Sequence, residues 1–385
     1  MTIQTLGLRR TLSGTAPSPT QSCNFLTSST LPSGMTFTRA SSARYTASTG
    51  LLASAASDVA RFDYDPVTLV QRGLLMEAAA TNLFTYSEAL DDASWTKTAA
   101  TITANAVAAP DNTTTADKMV ESASNAEHML NKGFTITSGD TVTVSAYVKA
   151  AGRTKCYFLV DAGAPYATIS FDLSAKTATL NYRAQSGTAI VAAAGSVQNA
   201  GNGFVRVSAT FTTTGVTSIF TSLRLIDGSN AFSYLGDGTS GIYAWGLQAE
   251  KGNSATSYIA TTSASVTRAA DLCSGLTSGL SWWNATEGTV LIDSDVAIVP
   301  AGGARLWTAD DTTSGNIIAA MLQAVGTYDT LVTSSSVSQA ALASPSRSAV
   351  TQAGVLSRYK ANLFAHRVDA LNGGAIQTDT SGTIP

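Results

Sequence analysis

The chain has 385 residues, of which 44% are hydrophobic and 13% charged, and its formal net charge is −3. This supply of apolar side chains is sufficient for a sizeable core, and the length suggests two or three domains. Nucleic-acid binders typically carry clustered Lys and Arg, so the slightly acidic balance argues against a nucleic-acid ligand.

The sequence predicts neither membrane insertion nor a disulfide framework. No run approaches the ~18 apolar residues that cross a bilayer, and the N-terminus lacks the apolar segment of a secretory signal. Cys23, Cys156 and Cys273 are odd in number and widely separated. This usage predicts free, buried thiols in a protein made in a reducing cytoplasm.

Residues 1–35 are rich in Ser and Thr, and Pro17, Pro19 and Pro32 interrupt any regular element. The composition predicts an extended arm that docks to a partner or a partly disordered tail, and it leaves both alternatives open.

Residues 36–83 form a predicted connector that contains a turn and a short apolar strand. The turn is indicated by the run from Asp63 to Pro66, and the strand by residues 74–76. Asp63 and Asp65 could share a cation. A turn with side-chain hydrogen bonds is favoured, because no further carboxylates cluster nearby.

Residues 84–271 alternate between apolar and polar side chains in one short run after another. Within Thr141 to Val148 every second residue is apolar, and the same period of two recurs at 167–173, 205–211 and 219–225. Many short antiparallel strands with one polar face predict a two-sheet sandwich, and a jelly roll of about eight strands fits the length.

Residues 272–385 begin a further β region. Its first strand is predicted from Gly288 to Val296, and Asn372-Gly373 is a hairpin signal. The fold class is therefore all-β, with tandem antiparallel β-sandwiches behind an extended N-terminal arm.

The sequence offers little catalytic or metal-binding machinery. The two histidines, His128 and His366, fall in different predicted domains, and no Gly-x-Ser-x-Gly elbow accompanies them. We expect His128 to be a surface residue or a hydrogen-bonded one, and His366 to be a strand residue. No Cys or His pair has ligand spacing, so neither a catalytic residue nor a metal site is predicted.

The loop from Gly236 to Gly241 could offer oxygens, including those of Asp237, to a structural Ca²⁺. A glycine-rich turn is favoured, because one carboxylate falls short of the 6–8 oxygen ligands that calcium takes. No cofactor is predicted.

Two aromatic residues are candidates for stacking on sugar rings. Trp95 lies in a polar, turn-like setting and Tyr166 follows a proline, so both rings are expected to be exposed. Trp245 alternates with apolar neighbours and is expected in the core. Trp282 and Trp283 are expected to pack between domains.

Several passages of the chain resemble known phage proteins. The run from Gly241 to Gly252, with 257–259 and 266–271 after it, resembles the last strand of jelly-roll modules in phage tail-fibre and head-spike proteins. Similar connectors in such proteins match the passages 37–45, 61–66, 72–77 and 81–83. The resemblance covers about residues 36 to 271.

The region from residue 272 looks like a concanavalin or laminin-G type sandwich. The similarity lies in Arg305-Leu306-Trp307, in the run from Arg358 to Asn362 and in the hairpin signal. Such a domain normally has a further strand after the position of Pro385. The expectation is a truncated chain, or a strand supplied by a neighbouring copy or an earlier segment.

The resemblance implies a structural appendage on the virion surface, a head spike or tail fibre, that binds host surface polysaccharide without catalysis. It implies synthesis in the bacterial host cytoplasm, docking of the arm to other virion proteins, and a homo-oligomer, commonly a trimer. One alternative is a purely structural spacer or decoration protein. Another is a capsule-degrading glycosidase, although degrading fibres usually resemble long β-helices, whose repeats this sequence lacks.

Overall fold

A computed structural model describes residues 2–3, 24–161, 166–183 and 190–275, together with separate strands between residues 287 and 379. Apart from one 3₁₀ turn at Gly201–Gly203, the regular structure in these residues is β-strand. The all-β prediction is confirmed. Within the described residues, no helix has the length and apolar character needed to cross a membrane.

The N-terminal part forms short strands in small sheets. β5 and β6 pair with each other, β1 lies beside β6, and β3 pairs with β4. Their bounds are β1 Thr2–Ile3, β2 Met35–Thr38, β3 Ala43–Thr46, β4 Leu52–Ala55, β5 Phe62–Tyr64, β6 Gln71–Leu75 and β7 Ala80–Asn82. Most of the predicted arm, residues 4–23, lies outside the described residues.

Two six-stranded antiparallel sheets form the main sandwich. Their strands are β8 Thr96–Thr98, β9 Ala100–Val107, β10 Ala116–Glu121, β12 Met129–Thr135, β13 Thr141–Ala151, β14 Lys155–Asp161, β15 Tyr166–Asp172, β16 Thr177–Arg183, β17 Ile190–Asn199, β18 Val205–Thr213, β19 Ser218–Ile226 and β21 Gly241–Lys251. A separate pair of short strands consists of β11 Asn125–Ala126 and β20 Tyr234–Leu235.

The strand order of these sheets is that of a jelly roll. The first sheet runs β17-β18-β13-β21-β10-β9 and the second runs β16-β15-β14-β19-β12-β8. The four strands β18, β13, β21 and β10 face β15, β14, β19 and β12, and the chain passes repeatedly from one sheet to the other, as in two interlocked Greek keys. The jelly roll predicted within residues 84–271 is present.

The alternation in the sequence sets which side chains enter the core. Val142, Val144 and Val148 of β13 are buried against Phe158 and Phe171 of the second sheet's strands in one hydrophobic cluster. The side chains of a strand point alternately to its two faces, so a run of alternating polar and apolar residues determines which side chains face the core.

A buried histidine fixes the corner where the chain leaves one sheet for the other. β8 and β9 are separated only by Ala99, whose φ of 48° turns the strand. The His128 ring lies with Nδ1 2.7 Å from the Ala99 carbonyl oxygen and Nε2 3.3 Å from that of Tyr234. The prediction of a hydrogen-bonded His128 is confirmed.

The outer face of the first sheet is covered by the segments before and after the jelly roll. β7 pairs with β22 (Val266–Arg268), and β2 pairs with β23 (Leu272–Gly275). The outward ring of Tyr147 is buried against Tyr258, with 6.1 Å between ring centroids. Trp245 packs in the same small cluster, as predicted for a core residue.

The C-terminal region holds two four-stranded antiparallel sheets, ordered β24-β29-β30-β31 and β25-β26-β27-β28. Their bounds are β24 Glu287–Ser294, β25 Ala304–Asp310, β26 Ile317–Leu322, β27 Tyr328–Ser334, β28 Val337–Ala343, β29 Ala353–Lys360, β30 Leu363–Asp369 and β31 Ile376–Asp379. His366 is a residue of β30, as predicted. The likeness to concanavalin or laminin-G domains stays a prediction, and Trp282, Trp283 and Pro385 lie outside the described residues.

Candidate functional site

Among the described residues no connector strand pairs with the second sheet, and part of the outer face of this sheet is exposed. We define the open face as the outward side chains of β12, β14, β15, β16 and β19. Their inward neighbours, such as Phe158, Ile169 and Leu223, are buried in the core. Outward positions include the exposed side chains of Tyr166 and Phe220. This sheet is therefore the side of the jelly roll on which a ligand can lie.

Strand register places the outward side chains in rows across the sheet. The first row, named the aromatic row, joins Tyr166, Asp161, Phe220 and Gly133 across four strands. The three further rows, in order along the strands, are Thr168, Leu159, Ser222 and Asn131, then Ser170, Tyr157, Arg224 and Met129, then Asp172, Lys155 and Ile226.

The aromatic row carries two exposed rings. The Phe220 side chain is 60% exposed and Tyr166 is 41% exposed. A Cβ placed on Gly133 would lie 3.0 Å from the Phe220 ring, so this glycine lets the ring rest close to β12. Exposed aromatic rings on a rigid sheet are suited to stacking on the apolar faces of sugars.

A polar cleft of about 360 Å³ lies toward the opposite end of the same strands. Lys155 Nζ donates to Asn230 Oδ1 at 2.7 Å and lies 3.9 Å from a carboxylate oxygen of Asp172. Ser170 Oγ donates to Asn181 Oδ1 at 2.5 Å. Amide, hydroxyl and charged groups placed together in this way suit a ligand that carries many hydroxyls.

Between the cleft and the aromatic row lie buried polar atoms that have no hydrogen-bond partner. These atoms are Thr168 Oγ1, Asn131 Oδ1 and Arg224 Nε. Buried polar groups are normally paired, and two of these atoms, Thr168 Oγ1 and Asn131 Oδ1, lie in the same row of the face.

The cation of the central rows is paired. Arg224 forms an ion pair with Glu127, and its guanidinium lies 5.7 Å from the ring of Tyr157. Phe232 packs on that ring with 4.5 Å between centroids, and burial raises the pKa of Tyr157 to about 12. The tyrosine is therefore a neutral hydroxyl near neutral pH.

Of the two aromatic residues predicted to bind sugar, only Tyr166 lies on the open face. Tyr166 is the first residue of β15, and its side chain is 41% exposed. The expectation of an exposed ring at Trp95 is wrong, because this side chain is 2% exposed and packs on Phe84 with 5.2 Å between centroids. Its Nε1 donates to the Tyr86 carbonyl oxygen, so the polar neighbours mark a turn while the ring points inward.

Phe220 and the cleft residues Asn181 and Asn230 were not predicted. Phe220 did carry a signal, since it is an aromatic residue in the polar phase of the alternating run that forms β19. The two asparagines carried none, because only the fold brings β16 and the turn after β19 to one cleft.

Both acidic segments form turns, as favoured from the sequence, except that Asp63 lies in β5 and the first turn begins at Asp65. Asp65 Oδ1 accepts hydrogen bonds from the main-chain N–H groups of Thr68 at 2.8 Å and Val67 at 2.9 Å, and these lower the pKa of Asp65 to about 2. Asp63 instead accepts from the Thr46 N–H. Asp237 accepts hydrogen bonds from Ser240 and Thr239, which lower its pKa.

The acids, histidines and cysteines of the described residues form no group of three or more that could hold a metal. Of the two described cysteines, neither is disulfide-bonded. Cys156 is fully buried, as predicted, whereas Cys273 is half-buried. Cys23 lies outside the described residues.

Segments before and after the main sandwich meet in a buried group of charges, named the charge cluster. It consists of Arg39, Arg61, Glu77, Arg268 and Asp271. Asp271 pairs with Arg39 at 3.2 Å and with Arg61, while Glu77 pairs with Arg61 at 2.8 Å and with Arg268 at 3.6 Å.

The charge cluster holds the connector to the end of the jelly-roll segment. Burial alone would raise the pKa of Glu77, but the charges of Arg268 and Arg61 and hydrogen bonds from Ser257 outweigh it and lower the pKa to about 2. Arg39 also donates to the Ala56 carbonyl oxygen at 2.6 Å. These residues stabilise the contact between the connector and the jelly-roll segment.

No protein-family model matches the chain, and a search of curated proteins finds no match either.

Proposed function

We propose that this chain is a β-sandwich protein that binds host surface glycans through its open face without transforming them. The observation that carries the proposal is the pair of exposed rings of Phe220 and Tyr166, set in one row on the uncovered sheet of the jelly roll. Polar groups of the cleft lie on the same strands and are suited to hydrogen bonding with sugar hydroxyls.

The proposed setting is the surface of a phage or phage-like particle, as a head spike or tail fibre. Its support is the resemblance of residues 36 to 271 to such proteins. On this proposal the N-terminal arm docks to other virion proteins, the assembled form is a homo-oligomer, with a trimer favoured, and the chain is made in the bacterial host cytoplasm.

Binding without catalysis is supported by the state of the acids near the cleft. Asp172 lies beside Lys155, and Glu127 is engaged by Arg224. A glycosidase needs one carboxyl group held as an acid and a second poised as a base or nucleophile. Asp172 and Glu127 each contact a basic side chain, an arrangement that suits the positioning of a polar ligand better than the paired acid and base of a glycosidase.

A spacer or decoration role is the second candidate, and one surface feature favours it. Val67, Leu69 and Val70 in the turn between β5 and β6 are exposed apolar residues. Neighbouring exposed apolar side chains are common where proteins contact each other.

The test is retention of the full chain on immobilised host surface polysaccharide, with release of sugar fragments followed in parallel. Phe220→Ala and Tyr166→Ala should each weaken retention, and the double variant should weaken it further. Leu235→Ala, which alters an exposed apolar residue of β20 outside the two main sheets, is the matched control and should bind normally.

Unchanged retention of the double variant would reject the open face as the site. Release of shortened sugars by the purified chain would replace the binding proposal with the glycosidase alternative. Failure of the unmodified chain to bind polysaccharide or intact cells would favour the spacer.

A further inference from the structure

The geometry points to an extended, uncharged glycan chain as the ligand of the open face, contacted at the polar cleft and the aromatic row together. This inference rests on the proposed function and adds the class of glycan.

The length of the face supports an extended ligand. Along β14, the row of Lys155 and the row of Asp161 are six residues apart. At about 3.3 Å per residue, these rows are separated by ~20 Å. A single sugar cannot touch both ends, whereas an oligosaccharide lying along the strands can.

Polar side chains also lie between the two ends of the face. The Thr168 hydroxyl and the Asn131 side-chain oxygen lie in the row next to Phe220 and have no hydrogen-bond partner. Both atoms are buried, so a ligand that passes over this row reaches them only if the groups above them move.

The charges of the face support an uncharged ligand. Lys155 is held by Asn230 and lies near Asp172, and Arg224 is held by Glu127. Each described cation of the face therefore has an acidic neighbour. Recognition of a carboxylate, sulfate or phosphate on a sugar would need a cation that such pairing does not already engage.

The experiment is calorimetric titration of the full chain with fragments of the host surface polysaccharide, separated by length and, on an ion exchanger, into neutral and acidic pools. Neutral fragments should bind more tightly as they lengthen, up to a plateau. Affinity should change little with salt, because exposed charge pairs and not stacking contacts are screened.

Two variants locate the ligand along the face. Asn181→Ala alters the cleft and Phe220→Ala alters the aromatic row, and both residues are exposed. Each should weaken a long neutral fragment by about tenfold, as expected for loss of about 1.4 kcal/mol. A disaccharide should respond to one of the two changes only, and Leu235→Ala should affect neither fragment.

Tighter, salt-sensitive binding of the acidic pool would overturn the uncharged ligand and leave glycan binding intact. Equal affinity for disaccharide and long fragments would overturn the extended ligand in the same way. Absence of binding to every fragment would overturn the proposed function and this inference with it.

Discussion

Removal of Asp271 is the sharpest test of how the connector is held to the jelly roll. The carboxylate pairs with Arg39 and Arg61, and all three side chains are fully buried. It also accepts a hydrogen bond from the Glu77 main-chain N–H at 2.7 Å. Asp271→Ala therefore leaves two buried guanidinium groups with less compensating charge.

The expected loss is large because the remaining charges stay out of water. Breaking a buried ion pair by removing one partner costs roughly 3–5 kcal/mol. The exposed pair between Arg72 and Asp65 has a distance of 2.6 Å, yet the Arg72 side chain is 49% exposed. Because such pairs contribute about 0–1 kcal/mol, Arg72→Ala is the matched control.

The assay is urea unfolding of the full chain, followed by tryptophan fluorescence and accompanied by hydrogen exchange of the backbone amides. Asp271→Ala should lower the unfolding midpoint much more than Arg72→Ala. Exchange should rise first in β2 and β23, the strands next to the charge cluster. Equal midpoints for the two variants, or exchange changes confined to distant strands, would show that Asp271 does not hold the connector in place.

Three further predictions concern titration, packing and thiol reactivity. The pKa of Glu77 is about 2, below its ordinary value of 4.5, so its stabilising contribution is present above about pH 4.5 and is lost as the pH falls toward 2. Glu77→Gln should flatten that part of the stability curve measured by urea unfolding, and an unchanged acid limb would contradict this. Gly241→Ala should lower the free energy of unfolding by about 1–3 kcal/mol or more, because the added Cβ would lie 1.8 Å from the Met119 carbonyl oxygen. In thermal melts, Gly228→Ala should leave the melting point nearly unchanged, because no atom lies within 4 Å of its added Cβ. Equal melting points for the two variants would contradict the close contact at Gly241. Burial raises the pKa of the Cys156 thiol to about 12, so iodoacetamide should modify it in urea and not in the native chain, as read by peptide mass spectrometry.

Period-two alternation was sufficient to predict the sandwich. The run 141–148 places its apolar residues in the core, and Trp245 is buried as its alternating neighbours indicated. The polar neighbours of Trp95 led to the wrong prediction of an exposed ring. Asp92 and Ser94 form a backbone turn, and this turn does not determine the direction of the Trp95 ring.

Long-range pairing set the limit of the sequence predictions. Arg39 and Asp271 are 232 positions apart, and the local sequence around either residue does not indicate that the two form an ion pair. Phe220 becomes a candidate only when β19 is known to lie in the uncovered sheet. The faces of the two sheets look alike in sequence, and the difference arises from where the connector packs.

The most direct test of glycan binding on the open face is a crystal structure of the full chain with a long neutral fragment of the host polysaccharide bound. We expect sugar density along β14, β15 and β19, with one ring stacked on Phe220 and hydroxyls reaching the cleft at Asn181. Sugar bound at the loops or on the C-terminal sheets, with the open face unoccupied, would contradict it.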